Sequence, residues 1–186
     1  MLAAAWEMMR GGGGAAGVTL AAVAKRAGVS RQAIYLFFGS RGGLLTAVTR
    51  HQDLTSGTAR KLLRAARSAA PRQSIGSVIK IWFDYLPQIH PVAMALQAAA
   101  ASDREAKEAW SDRMSAIRDV FETIAIRLRE SGDLAAGWTT TEAADFMWSQ
   151  AHFMTWHQLV VERGWTSEKA SRRVSEAIRK SILRRP

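Results

Sequence analysis

Residues 18–45 read VTLAAVAKRAGVSRQAIYLFFGSRGGLL. At the helical period, Leu20, Val23, Ala24 and Ala27 fall on one face, the i, i+3, i+4, i+7 stripe of a short amphipathic helix. Gly28 ends that helix, because glycine accepts the positive φ of a sharp reversal. Val29 is expected to insert as an apolar wedge, and Ser30 to cap a second helix that opens at Arg31. In this second helix Ile34, Phe37 and Phe38 are expected inward, with Arg31, Gln32 and Tyr35 on the other side. Two short helices about a glycine turn, the second with a hydrogen-bonding face, make the layout of a helix-turn-helix, whose second helix sets its N-terminal residues in the major groove of DNA.

From Thr19 to Leu44 the chain follows T-L-x-x-V-A-x-R-A-G-V-S-x-x-x-[IL]-Y-x-x-F-x-S-[KR]-x-x-L, with about a dozen matched positions. This run resembles the N-terminal signature of the tetracycline-repressor (TetR) family. The resemblance implies an all-α fold: an N-terminal three-helix helix-turn-helix domain, residues 1–45, plus a larger C-terminal helical ligand-binding and dimerisation domain, residues 46–186. It implies double-stranded DNA as a partner. Arg31, Gln32 and Ala33 are then expected to reach base edges, since Arg suits the O6 and N7 of guanine, Gln suits adenine and an Ala methyl can touch thymine. Tyr35, one turn past Arg31, is expected to bond a phosphate. Thr19 caps the first helix with its hydroxyl near the phosphate backbone, and Ser30, the cap of the recognition helix, joins the DNA-facing set. Arg41 stands where the family usually carries Lys. It keeps the cation and is expected to grip a phosphate.

The sequence also departs from the family pattern. Four glycines occupy 11–14, and Ala15 takes the place of an aromatic that packs into the small core. No extension precedes the first expected helix, LAAAWEMM at 2–9, where many relatives carry a basic arm reaching the minor groove; either the protein lacks that arm or the chain begins late. Gly42 and Gly43 replace the usual acidic helix formers, each weakening the helix start by about 1 kcal/mol relative to Ala. These features predict a less rigid domain and keep open an alternative, a helical small-molecule-binding protein whose DNA-binding domain is degenerate.

Charge supports the DNA reading. The net charge is +10 over 186 residues. Residues 1–72 hold 11 Lys/Arg against 2 Asp/Glu, while residues 73–186 hold 15 against 14, so nearly all the excess lies in the first two-fifths. A basic segment joined to a neutral one is what a polyanion-binding module on a separate body would give. There is no cysteine, which excludes disulfides and thiol catalysis. No apolar run of membrane-spanning length occurs, and the N-terminus lacks the basic and apolar regions of a signal peptide. A soluble, cytoplasmic protein is expected, with no membrane partner.

Beyond the motif the pattern is helical throughout. A long helix is expected from Leu44 to about Ala69, with Leu44, Val48, Leu54, Leu62, Leu63 and Ala66 inward. Ser74 is expected to cap a helix over 75–87, with Pro87 and Pro91 bracketing a kink before a short helix at 91–101. Ser102 and Glu105 read as a capping box for a helix to about Ser131, and Thr139 and Glu142 as a second box for one to about Arg163. The last of these is apolar nearly all round, which is hard to bury within one subunit. With the final stripe from Ser167 to Leu183, it resembles the helix pair that in the family forms a four-helix bundle with a symmetry mate. A homodimer is therefore expected, with Phe153, Trp156, Val160, Val174 and Ile178 at the interface.

In the family the larger region encloses a small inducer. Trp82, Met94, Trp110, Met114, Phe121 and Met147 would suit a mostly apolar ligand, although Trp and Met at this spacing are also ordinary core. His152 and His157 are five apart, off the i, i+4 spacing of a helical metal pair, so no metal site is expected. Phosphate loops, dinucleotide fingerprints and a G-x-S-x-G elbow are absent, and neither a cofactor nor an enzyme is expected. These expectations describe a ligand-responsive transcriptional regulator, a repressor released from a near-palindromic operator.

Overall fold

A computed structural model describes residues 1–11 and 14–184. Gly12 and Gly13, the centre of the expected glycine loop, lie outside the described residues. The described residues are helical, with one isolated bridge between Leu134 and Leu183. They form two compact units: residues 1–56 with 88–115, and residues 57–87 with 116–186.

The first unit contains α1 (Leu2–Arg10), α2 (Leu20–Ala27), α3 (Arg31–Phe38) and α4 (Arg41–Thr55). It is completed by the second half of α6 (Pro71–Ala100) and the opening of α7 (Arg104–Glu130). Its core joins the inward stripes of these helices, with Met9, Val23, Ile34, Leu44, Val48 and Leu96 all buried. Ala15 is buried too, so the position of the absent aromatic is closed by a methyl.

Gly28 turns the chain at φ 67°, and the Val29 amide donates back to Ala24 O at 3.1 Å, closing α2 as expected. Two side chains differ from expectation. Val29 is exposed instead of wedged, and Phe37 is 72% exposed instead of inward. Phe37, three residues past the buried Ile34 and four past the half-exposed Ala33, stands at the rim of the buried face and turns outward.

In the second unit α5 (Thr58–Ala66) packs with the first half of α6, the remainder of α7, α8 (Thr140–Gln150), α9 (Phe153–Trp156), a π-helical turn (His157–Glu162) and α10 (Ser167–Ile182). Ile79, Phe83, Phe121, Ile124, Met147 and Ile178 are fully buried.

Several expected boundaries moved. The helix expected over 44–69 breaks at Gly57, whose φ of 70° no helix accommodates, and Leu54 and Leu63 are exposed. Conversely, α6 runs unbroken through Pro87 and Pro91. Each proline removes a backbone bond, but Phe83, Leu86, Val92 and Leu96 are buried on either side, and packing of that length of apolar surface outweighs the lost bonds. The helix starts at Pro71, where a ring without N–H fits the first turn. Asp103, not Ser102, caps α7: its Oδ1 accepts from the Glu105 and Ala106 amides at 3.0 and 3.1 Å.

The helix expected over 139–163 opens at the predicted Thr139–Glu142 capping box and then breaks at Ala151–His152. There the Trp82 indole donates to Ala151 O at 2.9 Å, and His152 Nδ1 accepts from the Met154 amide at 3.3 Å, starting a new helix. The break rotates Phe153 and Trp156 into the interior, so one chain buries what an unbroken helix could not.

Candidate nucleic-acid interface

Local sequence builds the recognition element. Thr19 Oγ1 accepts from the Ala22 amide at 3.1 Å and Ser30 Oγ from the Ala33 amide at 3.0 Å, so each cap satisfies a donor that its helix start would otherwise leave bare. Ile34, fully buried, pins α3 to the core. With that side fixed, Arg31, Gln32 and Tyr35 are left exposed and Ala33 half-exposed. These four stand together on one short helix, with Thr19 and Ser30 exposed at the starts of α2 and α3. Lys25 and Arg26 are exposed in the last turn of α2, giving a cationic surround without a carboxylate in either helix.

Leu36 and Phe37 are members of this surface that the wheel argument missed. Leu36 is 77% exposed and follows Gln32 by four residues, so it shares that face. For Leu36 the signal was present in the spacing.

Arg41 has a different setting. Its side chain is only 16% exposed. Nε donates to Val18 O at 2.8 Å, Nη2 to Ala15 O at 2.6 Å and Nη1 to Asp103 Oδ2 at 2.7 Å, and Glu105 Oε2 lies 3.6 Å from Nη1. Beside it the Gly42 amide donates to Glu105 Oε1 at 2.9 Å. A Cβ on Gly42 would stand 3.2 Å from that of Glu105, and one on Gly43 would stand 2.0 Å from Phe38 O. The two glycines expected only to weaken α4 thus allow close approach on both sides. Burial alone would raise the Asp103 carboxyl, but the Ala106 amide and the Arg41 guanidinium hold it below its ordinary value. Asp103 and Glu105 carry the setting of Arg41, and nothing in sequence spacing ties positions 62 and 64 residues away to it.

Farther along α4, Arg50 pairs with Asp112 and Asp53 with Arg113. The Arg50 guanidinium, ahead of the opposing burial, keeps the Asp112 carboxyl below its usual range.

The expected ligand and interface residues are scattered differently. Met94, Trp110 and Met114 are half-buried in the first unit, whereas Trp82, Phe121 and Met147 are buried in the second. Among the five expected interface residues, Phe153, Trp156, Val174 and Ile178 are buried within the chain, and Val160 is half-buried. Trp156 also donates to Ser167 Oγ at 3.0 Å. No group of three metal-ligating side chains is present among the described residues, and no described helix is long and apolar enough to cross a membrane.

Comparison with known proteins bears on the motif and on the whole fold separately. A family model for bacterial regulatory proteins of the tetR family matches residues 1–48. The HTH-type transcriptional regulator BetI of Burkholderia thailandensis is 45% identical over 73 residues, 38% of this chain and 36% of the relative. The matched stretch thus spans only about a third of the curated relative. The structure of FadR from Bacillus subtilis in complex with stearoyl-CoA superposes with a TM-score of 0.75 at 20% identity, over 97% of both chains. The SmeT–triclosan complex gives 0.73 at 18% identity, over 98% of this chain and 90% of the other. At such identities the likeness establishes the fold along the whole chain, while the sequence match establishes the helix-turn-helix. Both findings agree: residues 1–48 match the tetR-family helix-turn-helix model, and the chain as a whole has the fold of these solved regulators.

Proposed function

We propose that this chain is a ligand-responsive, DNA-binding transcriptional regulator, a repressor that a small, mostly apolar inducer releases from a near-palindromic operator. The observation that carries the reading is the exposed face of Arg31, Gln32 and Tyr35 on a helix capped by Ser30 and pinned by Ile34. Arg31, Gln32 and Ala33 read base edges; Tyr35 bonds a phosphate, and Thr19 and Ser30 lie beside the backbone. The protein acts as a cytoplasmic homodimer without catalytic activity, with recognition helices about 34 Å apart to meet successive major grooves. Residues 1–45 carry DNA contact, and residues 46–186 carry ligand binding and dimerisation.

The FadR and SmeT structures, bound to stearoyl-CoA and triclosan, support an apolar ligand class. Met94, Trp110 and Met114, half-buried in the first unit, are the candidates to meet it. Trp82, Phe121 and Met147 are buried in the second unit and closed off. At the dimer contact Val160, with Val161 exposed beside it, takes the part first assigned to buried residues. The ligand acts by preferring the state whose recognition helices are wrongly spaced, and lowers operator affinity by its differential affinity for the two states.

Selection of binding sites from random duplexes by the purified protein tests the reading, repeated with a long-chain acyl-CoA and with an aromatic biocide as probes. A palindromic site lost on adding one probe is the expected result. Binding that is sequence-blind and merely salt-sensitive would favour a degenerate domain.

A further inference from the structure

We propose that Arg41 is a positioning residue for sequence reading, and not a phosphate contact: through Asp103 and Glu105 at the start of α7 it holds the segment that launches α2. The inference rests on the DNA-binding reading above. Each guanidinium nitrogen is already used, on Val18 O, Ala15 O and Asp103. Those two carbonyls belong to Val18, immediately before Thr19, and to Ala15, four residues before it, and the Thr19 hydroxyl starts α2. Two carboxylates face one cation, so its charge is neutralised before any phosphate arrives. To reach DNA, Arg41 would have to abandon a charge-assisted pair and leave Asp103 partly buried without it, which is unfavourable on both counts.

The geometry also explains why arginine suits the position. Lysine has three donors on a single atom and no planar fork, and cannot span two carbonyls and a carboxylate in this arrangement. Because the same two acidic residues serve the α7 start and the α4 start, any displacement of the first turn of α7 is delivered to the segment 15–18. The recognition helix is thereby referenced to α7 at a point within the first unit.

Affinities of the full-length protein for its selected operator and for a scrambled duplex, each measured across a salt series, test this. Asp103→Asn keeps an oxygen to cap the Glu105 and Ala106 amides but loosens Arg41. It should lower operator affinity at least tenfold and leave scrambled-duplex affinity unchanged or higher. Arg41→Ala should do the same with an unchanged salt slope, and the double variant should be no worse than either single one. Arg41→Lys should behave as Arg41→Ala. Stoichiometric titration with operator counts competent molecules, so loss of folded protein is separated from loss of affinity.

A phosphate contact predicts the reverse signs. Asp103→Asn would then free the cation and raise operator affinity, Arg41→Ala would reduce the salt slope by about one, and Arg41→Lys would restore binding. Unchanged or raised affinity in Asp103→Asn overturns the proposal on its own, even if Arg41→Ala does not fold. If the unsubstituted protein selects no operator, the DNA-binding reading fails and this inference falls with it. An operator selected normally but indifferent to Asp103 sinks only the positioning role.

Discussion

Two Ser-Arg pairs, Ser30-Arg31 and Ser40-Arg41, open consecutive helices ten residues apart, and their local structures are nearly the same. Ser30 Oγ accepts from the Ala33 amide and Ser40 Oγ from the Gly43 amide, both at 3.0 Å. The arginines that follow have opposite settings: Arg31 is exposed on the recognition helix, while Arg41 is folded against two carbonyls and two carboxylates. Identical local chemistry therefore sets the cap, and tertiary surroundings set the use of the cation. An exposed arginine can read a base or grip a phosphate; one whose three nitrogens already donate within the chain is set to brace.

The largest effect expected of this contrast is on stability. Arg41→Ala leaves Asp103 without its partner and strips a donor from each of two carbonyls, which should cost on the order of 3 kcal/mol, a fall of roughly 10 °C in melting temperature for a chain of this size. Arg31→Ala, at an exposed position, should stay within about 0.5 kcal/mol of the parent. Thermal unfolding of the two variants side by side measures both. Equal stabilities would erase the distinction between the pairs.

On DNA the order inverts in kind. Arg31→Ala should abolish preference at one base pair of each half-site, worth about 2 kcal/mol of discrimination, while other positions keep their profile. Selected-site profiles check this. A general weakening without loss of preference at any position would instead make Arg31 a backbone contact.

The caps should be equal where the arginines are not. Ser30→Ala and Ser40→Ala should each destabilise by about 1 kcal/mol, read from chemical denaturation. A much larger cost at Ser40 would mean that its cap is coupled to the Arg41 network, and would shift part of the brace onto the serine.

What was readable in the sequence follows the same line. Gly28, Ser30 and the apolar stripe of α2 announced the helix-turn-helix because each acts through its own few neighbours, and the Thr139–Glu142 box was readable for the same reason. Breaks that depend on distant partners were not. Trp82 reaching Ala151 interrupts the α8 region from 69 residues away, and the packing around Pro87 and Pro91 keeps α6 whole against its local preference. Arg41 is the case that matters for function: a cation in a motif position reads as a DNA contact until the acids at 103 and 105 are folded against it. Leu36 was left unassigned although its place beside Gln32 was already in the helical period.

The smallest effect sharpens the comparison by pH, because among the described residues Arg41 has a titrating partner, Asp103, and Arg31 has none. The Asp103 carboxyl lies below its ordinary value in the folded chain, since burial, which would raise it, is outweighed by the Ala106 amide and Arg41. The unfolded chain therefore binds the proton more readily than the folded one. The stabilisation is complete above the unfolded carboxylate value, near pH 4, and is lost as pH falls through the lower folded value. The denaturation midpoint should accordingly drop between about pH 5 and pH 3 more steeply in the parent than in Asp103→Asn, which has no carboxyl to protonate there. Arg31→Ala should keep the parent's slope, because no carboxylate among the described residues pairs with Arg31, whereas Arg41→Ala should flatten it by removing one of the groups that hold the Asp103 proton off. If Arg41→Ala instead retained the full parental slope, the Ala106 and Glu105 amides alone would account for Asp103, and the brace would be a hydrogen-bonded contact with little charge character.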